Sequence, residues 1–400
     1  MPDQLSDNQQ ASSEGAAGIR RAQSCATDAR DAVREFHAGV AQADMALVLF
    51  FCSSSYDLAA LAEAMQQAFA GVQVVGCTTA GEIGPAGYRD HSLTGASFPA
   101  GSFSVVSGLL EQLQQYEIPK GLALAQTLLQ KLESRAPQAS ADNSFALLLI
   151  DGLSVREEPV TGTLQSALGR LPLVGGSAGD GLNFGHTQVY FEGRFHSDSA
   201  VLTLLTTPLP IKLFKTQHYV ATDQRLVVTE ADSAHRIVKE INGLPAAGEF
   251  ARMLGISATD LDPLRFAAYP VVVMIDGTNY VRSIQKANPD GSLTFFCAIE
   301  NGLVLRLARG VDLVENLEQA LAGINAAIGR PQLLIACDCV LRKLEIATSP
   351  VKGRIVELLE QNHTLGFNTY GEQFHGVHVN QTLVGVAIGA GAGAVGARDA

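Results

Sequence analysis

Hydrophobic residues in this chain fall into short continuous runs that are separated by segments with helical spacing. The runs ALVLFFC, FALLLI and LLIAC predict strands covered on both faces, at 46–52, 145–150 and 333–337. Apolar residues spaced three and four apart predict amphipathic helices, at 26–41, 58–69, 157–168 and 314–328. Strand, helix and strand therefore follow one another in each third of the chain. This order predicts an α/β fold of mixed β-sheets backed by helices.

A glycine-bearing segment follows the second strand of each predicted unit. Gly76 to Glu82, Gly175 to Asp180 and Gly366 to Glu372 each contain a glycine, small or hydroxyl residues, a second glycine and a carboxylate. Such turns either form the corners of a repeated fold or bind an anion with their backbone N–H groups. No lysine follows the second glycine and no helix begins there, as a phosphate loop would require. We therefore favour the architectural role.

The predicted units are completed by hairpins and divided into two domains. The first two hairpins are predicted to pair 93–98 with 103–109, and 187–195 with 200–206. A helix is predicted at 234–241, and Ser349-Pro350 is predicted to start another. The predicted segments are a flexible leader at 1–25, an N-type domain at 26–244, a C-type domain at 245–388 and a flexible tail at 389–400.

Composition narrows the class of protein. A net charge of −12 argues against non-specific nucleic-acid binding. No apolar run reaches the roughly 18 residues of a membrane span, and the acidic start of the chain does not resemble a secretion signal. Six cysteines in 400 residues indicate reduced thiols rather than a disulfide framework. We expect a cytoplasmic bacterial protein.

Several motifs resemble those of the FIST family. Val75 to Glu82 and Leu173 to Asp180 resemble two signatures of the FIST N-terminal domain. The FIST C-terminal domain is matched by its own set of segments: Tyr280 to Ile284, Asn301 to Leu307, Gly366 to Glu372 and Asn380 to Leu383. The likeness spans roughly residues 45 to 390. It implies two domains, FIST N-type and FIST C-type, acting as a sensory module for a small ligand in signal transduction.

Within this family, a chain of this length is similar to the NosP haemoproteins, which sense nitric oxide and modulate a partner histidine kinase. The resemblance implies a non-enzymatic sensor that binds haem b, with iron held by one histidine. It also implies nitric oxide and a histidine kinase as partners, and it is compatible with a homo-oligomer.

The segment from Phe374 to Asn380 contains the favoured iron ligand. His378 is preferred and His375 is the alternative, because both precede the last strand, where several strand ends should converge. Arg282 is assigned to the cofactor site, where it would reach a haem propionate, although an ion pair with Glu82, Asp180 or Glu372 is the favoured interpretation of this charge. Tyr370 and Phe374 are expected to flank the ligand or, alternatively, to fill the core.

Two further functions stay open from the sequence. One is a FIST sensor for an amino acid or another small metabolite without haem, using the same cleft and Arg282. The other, ranked lowest, is a hydrolase with Thr78 or Ser177 as nucleophile and Glu82 as base. Cys337 and Cys339 are assigned a structural role, with zinc binding or redox chemistry as the alternative.

Overall fold

A computed structural model describes residues 18–275 and 277–390 of the chain. The first unit is a helix-backed sheet followed by a short hairpin and a return strand. Its elements are β1 (Arg20–Ser24), α1 (Ala29–Val40), β2 (Met45–Ser53), α2 (Leu58–Ala68), β3 (Val74–Thr79), β4 (Glu82–Gly84), β5 (Gly87–Arg89) and β6 (Leu93–Pro99).

The second unit repeats this order without change. Its elements are β7 (Ser104–Glu111), α3 (Ile118–Arg135), β8 (Ser144–Ile150), α4 (Glu157–Leu168), β9 (Leu173–Ser177), β10 (Val189–Phe191), β11 (Arg194–His196) and β12 (Ser199–Thr206). Both units therefore contain a parallel strand pair, and the carboxyl end of its second strand leads into a glycine turn.

The third unit starts with β13 (Ile211–Thr216) and is then interrupted by an inserted β-domain. The insertion contains β14 (Tyr219–Asp232), β15 (Ile237–Ile241), β16 (Leu244–Pro245), α5 (Ala246–Leu254), α6 (Pro263–Ala268), β17 (Val271–Ile275), β18 (Thr278–Arg282), β19 (Ile284–Ala287), β20 (Leu293–Phe295) and β21 (Val304–Gly310). The third unit then resumes with α7 (Leu313–Ile328), β22 (Pro331–Cys339), α8 (Val340–Thr348), α9 (Lys352–Gln361), β23 (Thr364–Thr369), β24 (Glu372–Phe374), β25 (Val377–Val379) and β26 (Leu383–Gly389).

The three units exchange their hairpins in a cycle. Each six-stranded sheet contains four strands of one unit and the short hairpin of another, in the orders β1-β6-β2-β3-β10-β11, β7-β12-β8-β9-β24-β25 and β13-β26-β22-β23-β4-β5. The hairpin of the first unit thus completes the third sheet, that of the second completes the first sheet, and that of the third completes the second. The inserted domain forms its own eight-stranded sheet. This arrangement confirms the predicted fold class of mixed sheets backed by helices in three related units.

The three sheets enclose one core and carry helices on their outer faces. Strand β2 sends Leu47, Leu49 and Phe51 inward, where they join the matching residues of β8 and β22 in the largest buried cluster. Its alternate residues, such as Val48 and Phe50, face α1 and α2. Burial on both faces explains why these strands are continuous apolar runs in the sequence.

The first glycine of each turn motif is required by close strand packing. Gly76, Gly175 and Gly366 occupy the same register position, opposite Phe50, Leu148 and Ala336 on the parallel neighbour. A Cβ atom at Gly366 would lie 2.0 Å from the carbonyl oxygen of Ala336. No side chain fits at that distance, which accounts for the repeated glycine.

We expect Gly366→Ala to reduce the free energy of unfolding by about 2 kcal/mol or more, because the new methyl group must displace backbone in a packed sheet. Urea unfolding followed by circular dichroism measures this loss. Gly353→Ala in α9 is the matched control, since nothing lies within 4 Å of a Cβ there, and helix propensity should leave it neutral or slightly stabilised. Equal stability of the two variants would contradict this explanation of the motif.

Both predicted hairpins were wrong in their pairing. Strands β6 and β7 are consecutive, but β6 pairs with β1 and β2 whereas β7 pairs with β12 in another sheet. In the second unit, β10 turns near Glu192 and pairs with β11, while β12 joins β7 and β8. The turn signal marks a chain reversal and does not specify the partner strand.

Two other local predictions also differ from the structure. Residues 237–241 form strand β15 instead of a helix, because they pair with β14, β16 and β20, and Val238 and Ile241 pack into the inserted core. The chain after β22 forms α8, which the sequence pattern did not reveal, and α9 begins at Lys352 rather than at Ser349-Pro350. At both places, packing against elements that are distant in the sequence determines which secondary structure forms.

The predicted domain limits can be compared with these elements. Residues 20–24 of the predicted leader form the edge strand β1, paired with β6. The remainder of the leader up to residue 17 and the tail from 391 onward lie outside the described residues. The predicted boundary at 244–245 falls on β16, which pairs with β15 inside the inserted sheet.

Candidate functional site

The three glycine turns meet and hydrogen-bond to one another at one end of the three-sheet core. The N–H groups of Thr78, Ser177 and Asn368 donate to Gln188, Gly371 and Gly81, which precede the neighbouring hairpins. Further bonds run from the N–H of Gly179 to Thr78 and from that of Ala80 to Asn368. These bonds account for the architectural role of the turns. They also gather the carboxyl ends of parallel strands from all three units, where α/β folds commonly bind ligands.

A cleft of about 530 Å³ opens beside these turns, and we call it the axial cleft. Its wall combines hydroxyl, carboxyl, imidazole and ammonium groups with apolar residues. The residues that line it include Ser53, Ser55, Glu82, Asp90, His91, Leu182, Lys343 and Leu344. The volume lies in the range typical of small-molecule sites.

Lys343 of α8 is the cation of the axial cleft. Its Nζ donates to the carbonyl oxygen of Ala80 at 2.7 Å and pairs with the carboxylate of Asp90. Gly81, at φ +136°, is the residue against which this ammonium packs, and a Cβ there would collide with Nζ. Ser55 and His91 also line the cleft, with Ser55 Oγ 3.0 Å from His91 Nδ1.

Glu82 forms the floor of the cleft and is fully buried. Its Oε2 accepts hydrogen bonds from the N–H and the hydroxyl of Ser92, and its Oε1 accepts from the Thr79 hydroxyl. Burial raises the pKa of Glu82 to about 7, an effect that the hydrogen bonds from Thr79 and Ser92 reduce only in part. Glu372 in the third unit is held in the same way by Thr382, and burial raises its pKa well above the usual range.

The raised pKa of Glu82 makes stability fall with rising pH. The folded state retains a proton that the unfolded chain releases between the ordinary pKa of 4.5 and about 7, so the contribution is full below that window and lost above it. Relative to the wild type, Glu82→Gln should therefore gain about 3 kcal/mol of stability as pH rises from about 4.5 to 8. Urea unfolding at several pH values measures this difference. Glu63→Gln, at a solvated carboxylate of α2, should show a much smaller change with pH. If stability relative to the wild type changes equally with pH in both variants, Glu82 is not the group responsible.

The two predicted iron ligands occupy different environments. His378 of β25 is 2% exposed, and a Cβ at Gly371 would lie 2.2 Å from its ring. Burial lowers the pKa of His378 to about 4, so the imidazole is neutral at physiological pH. His375 is exposed at the tip of the β24–β25 hairpin, where its ring meets that of Phe374 edge-on with centroids 4.4 Å apart.

The structure brings only part of the predicted site together. Arg282 approaches His378, with Nη1 3.4 Å from its carbonyl oxygen. Tyr370 lies elsewhere, with its hydroxyl bonded to Asp180 and its ring in a three-ring cluster with Phe184 and Phe296. None of the suggested ion pairs of Arg282 with Glu82, Asp180 or Glu372 is present among the salt bridges of the described residues.

The hydroxyls considered as nucleophiles are engaged in the fold. Thr78 Oγ1 accepts from the N–H of Gln188 at 3.0 Å, and Ser177 Oγ accepts from the Gln373 amide at 2.9 Å. Cys337 and Cys339 are buried in two apolar clusters, and burial raises the pKa of both thiols. In residues 18–275 and 277–390, no group of three or more His, Cys, Asp or Glu side chains could hold a metal ion.

Sequence reasoning missed Lys343 and Asp90, and it ranked His91 only as a second-tier candidate for an iron ligand. Lys343 lies on the unrecognised helix α8, far along the chain from Asp90, and only the hairpin exchange between units brings the two together. One signal was available, because Asp90, His91 and Ser92 follow the first hairpin at the positions that Asn380, Gln381 and Thr382 occupy after the third. His91 and Gln381 both have positive φ, at +60° and +48°.

Comparison with known proteins identifies the family of the chain. The FIST N domain model matches residues 46–244 and the FIST C domain model matches residues 246–375. No curated protein matches the chain. Within the described part of the chain, none of the helices is both long and apolar enough to span a membrane.

Solved structures are also similar to the chain, among them two cyanuric acid hydrolases. A cyanuric acid hydrolase from A. caulinodans is 9% identical over 93% of this chain and 99% of its own, with a TM-score of 0.39. A cyanuric acid hydrolase described as an evolutionary innovation by structural concatenation is 11% identical over 74% of this chain and 99% of its own, with a TM-score of 0.31. The two domain models account for most of the chain, which belongs to the FIST family, whose domains are sensory modules in signalling.

Proposed function

We propose that this protein is a non-enzymatic sensor that binds a small zwitterionic metabolite, such as an amino acid, in the axial cleft. The observation that carries the proposal is the placement of one ammonium group, one accessible carboxylate and several hydroxyls around a cleft of about 530 Å³. These groups come from different units, so a bound ligand would bridge parts of the fold. Bridging contacts of this kind can transmit occupancy to a partner protein.

The groups in the cleft complement both ends of a zwitterion. Lys343 can receive a carboxylate, with the hydroxyls of Ser53 and Ser55 as additional donors. Asp90 can receive an ammonium group once Lys343 turns toward the ligand. The apolar side chains of Leu182 and Leu344 remain available to the ligand's own side chain. When the ligand binds, the Lys343–Asp90 ion pair is replaced by one contact of Lys343 and one of Asp90 with the ligand, so both charges stay paired.

Thermal unfolding in the presence of the standard amino acids, one at a time, tests this proposal. A ligand that binds only the folded state raises the midpoint in proportion to the logarithm of its concentration. We expect at least one amino acid to do so, and we expect Lys343→Met to abolish the effect. Lys120→Met, at an exposed lysine of α3, is the matched control and should keep it. Absence of any shift would count against the axial cleft as the sensory site.

A second candidate function is the haem-based sensing of nitric oxide, coupled to a partner histidine kinase. His378 does not fit a porphyrin in the observed packing, because its ring lies against Gly371 and is almost fully buried. His375 fits better. Its imidazole lies next to the Phe374 ring at the hairpin tip, while partial desolvation and the nearby Lys215 lower its pKa, which favours the neutral ligand form. Lys215 Nζ, 4.9 Å above the Tyr280 ring, is a cation that could pair with a propionate.

An absorption spectrum distinguishes the two candidates. If haem is bound through His375, protein mixed with haem should show a Soret band that nitric oxide shifts, and His375→Ala should lose it. His37→Ala, at a histidine of α1, should keep the band. A spectrum identical to that of free haem removes the haem proposal and leaves the metabolite proposal untouched.

A further inference from the structure

A second cavity, of about 570 Å³, lies at the opposite end of β3 from the axial cleft. We call it the hairpin cleft, because the β10–β11 turn forms one side of it, and the residues that line it include Gln66, Phe69, Gln73, Tyr190, Phe191 and Glu192. The axial cleft includes Thr79, the last residue of β3, whereas the hairpin cleft includes Val74, the first. The two cavities have no lining residue in common.

The β10–β11 turn places a carboxylate at the hairpin cleft. Phe191 is the last hairpin residue in register with β3, opposite Val75, so Glu192 and Gly193 lie beside the start of that strand. Both turn residues have positive φ, at +47° and +85°. Glycine and asparagine suit the first position of such a turn, whereas glutamate is unfavourable there. A glutamate at this position points to a role for its carboxylate.

The charge of Glu192 is not compensated within the wall of the hairpin cleft. In the part of the chain that the structure describes, the lining contains no lysine, arginine or histidine and no second carboxylate. Glu192 also makes no ion pair with any described residue. Arg194, in the same hairpin, instead donates from Nε to His196 Nε2 at 3.3 Å. The hairpin cleft therefore favours a cationic ligand over an anionic one.

Tyr190 contributes a buried hydroxyl to the hairpin cleft. The residue is only 1% exposed, and its ring packs edge-on against Phe50 and Phe195, with centroids 5.1 and 5.2 Å away. Within residues 18–275 and 277–390, no group hydrogen-bonds to this hydroxyl. Burial raises the pKa of Tyr190 to about 12, so the phenol keeps its proton and can both donate and accept. Because an unpaired buried hydroxyl is costly, a ligand with a polar hydrogen would stabilise it.

The rest of the wall combines aromatic surface with two side-chain amides. Phe69 and Phe191 supply the aromatic surface, which attracts cations as well as apolar groups. The Gln73 amide hydrogen-bonds with the Ser107 hydroxyl of the edge strand β7. Gln66 lies against the turn, since a Cβ at Gly193 would be 3.0 Å from its Nε2. Such a wall suits a ligand with an apolar body and one polar, positively charged end.

We propose that the hairpin cleft binds a primary amine that has an apolar body and no anionic group. The Glu192 carboxylate binds the ammonium group, while the Tyr190 hydroxyl and the Gln73 amide add hydrogen bonds. Phe69 and Phe191 contact the apolar body. An amino acid is disfavoured here because its carboxylate meets no cation, whereas the axial cleft provides one. The hairpin cleft does not depend on the function proposed for the axial cleft.

Calorimetric titration of the full chain with phenethylamine, at a pH where the amine is protonated, tests the site. We expect saturable binding with one site per chain in the wild type. Hydrocinnamate, which has the same ring and spacer but a carboxylate in place of the ammonium group, should bind at least about tenfold more weakly. Lys343→Met should leave phenethylamine binding unchanged, which separates this site from the axial cleft.

Two variants test the assigned contacts. Glu192→Gln removes the charge and keeps the size of the side chain, so it should weaken phenethylamine binding at least about tenfold. Glu300→Gln, the same change at an exposed carboxylate of the inserted domain, should not. Tyr190→Phe should weaken binding about threefold or more. It should leave the unfolding midpoint unchanged, because the hydroxyl bonds to no described residue.

Three results would overturn the proposal: no saturable binding of phenethylamine, equal affinity for phenethylamine and hydrocinnamate, or equal affinity of Glu192→Gln and wild type for phenethylamine. Unaltered binding in Tyr190→Phe likewise contradicts the site.

Discussion

Replacing Arg342 with alanine should reduce the free energy of unfolding by about 3–5 kcal/mol, because it leaves a buried carboxylate without its cation. Arg342 is 1% exposed and donates from Nε to Asp338 Oδ1 at 2.8 Å. Its Nη1 lies 3.0 Å from His218 Nδ1. Asp338 is fully buried and also accepts from the Tyr88 hydroxyl at 2.7 Å. The network thus joins β22, α8, the exchanged hairpin and the start of the inserted domain.

Chemical denaturation monitored by circular dichroism measures this loss. Arg354→Ala is the matched control, because Arg354 makes ion pairs with Glu318 and Glu357 at the solvent-exposed surface, where such pairs contribute only about 0–1 kcal/mol. The double variant Asp338→Leu/Arg342→Met should be more stable than Arg342→Ala, since no charge then remains unpaired. A double variant that is less stable than Arg342→Ala would contradict this account of the network.

Replacing Arg236 with alanine should uncouple the inserted domain from the second unit. Arg236 precedes β15 and donates to Glu157 Oε2 at 2.7 Å and to the carbonyl oxygen of Phe296 at 2.6 Å, and it also pairs with Glu158. Glu157 is 1% exposed, and burial raises its pKa to about 7 even beside Arg236. Without the guanidinium, two adjacent carboxyl groups of α4 face each other in a buried interface.

We expect a loss of about 3–5 kcal/mol in the stability of this interface. Thermal unfolding should then show two transitions, the first belonging to the inserted domain. Lys239→Ala, in the strand β15 that follows Arg236, is the control, because its pair with Glu230 is exposed to solvent. A single cooperative transition for Arg236→Ala, at the wild-type midpoint, would show that this ion pair does not hold the domains together.

The sequence predicted the local elements that burial on both faces defines. The runs at 46–52, 145–150 and 333–337 coincide with β2, β8 and β22, and the glycine turns follow the strands as expected. Each glycine motif carries its own physical reason, since strand contact at Gly76, Gly175 and Gly366 excludes a side chain. Buried strands and glycine turns are determined by a few consecutive residues, so the local sequence predicts them.

The exchange of hairpins could not be predicted in the same way. The segment Pro99 to Gly101 specifies a reversal of the chain, but whether β7 then pairs with β6 or leaves for another sheet depends on strands a hundred residues away. The axial cleft could not be predicted for the same reason, because Asp90 and Lys343 are 253 positions apart in the chain. His378 was singled out as an iron ligand from its neighbours in sequence, and its burial against Gly371 was not visible there.

The most direct test of the central claim is calorimetric titration of the amino acid that most raises the unfolding midpoint, into wild-type protein and into Lys343→Met. The account predicts one saturable site in the wild type, at least about tenfold weaker binding in Lys343→Met, and unchanged binding in Lys120→Met. Equal affinity in all three proteins would show that the ligand binds elsewhere, and the axial cleft would not be the sensory site.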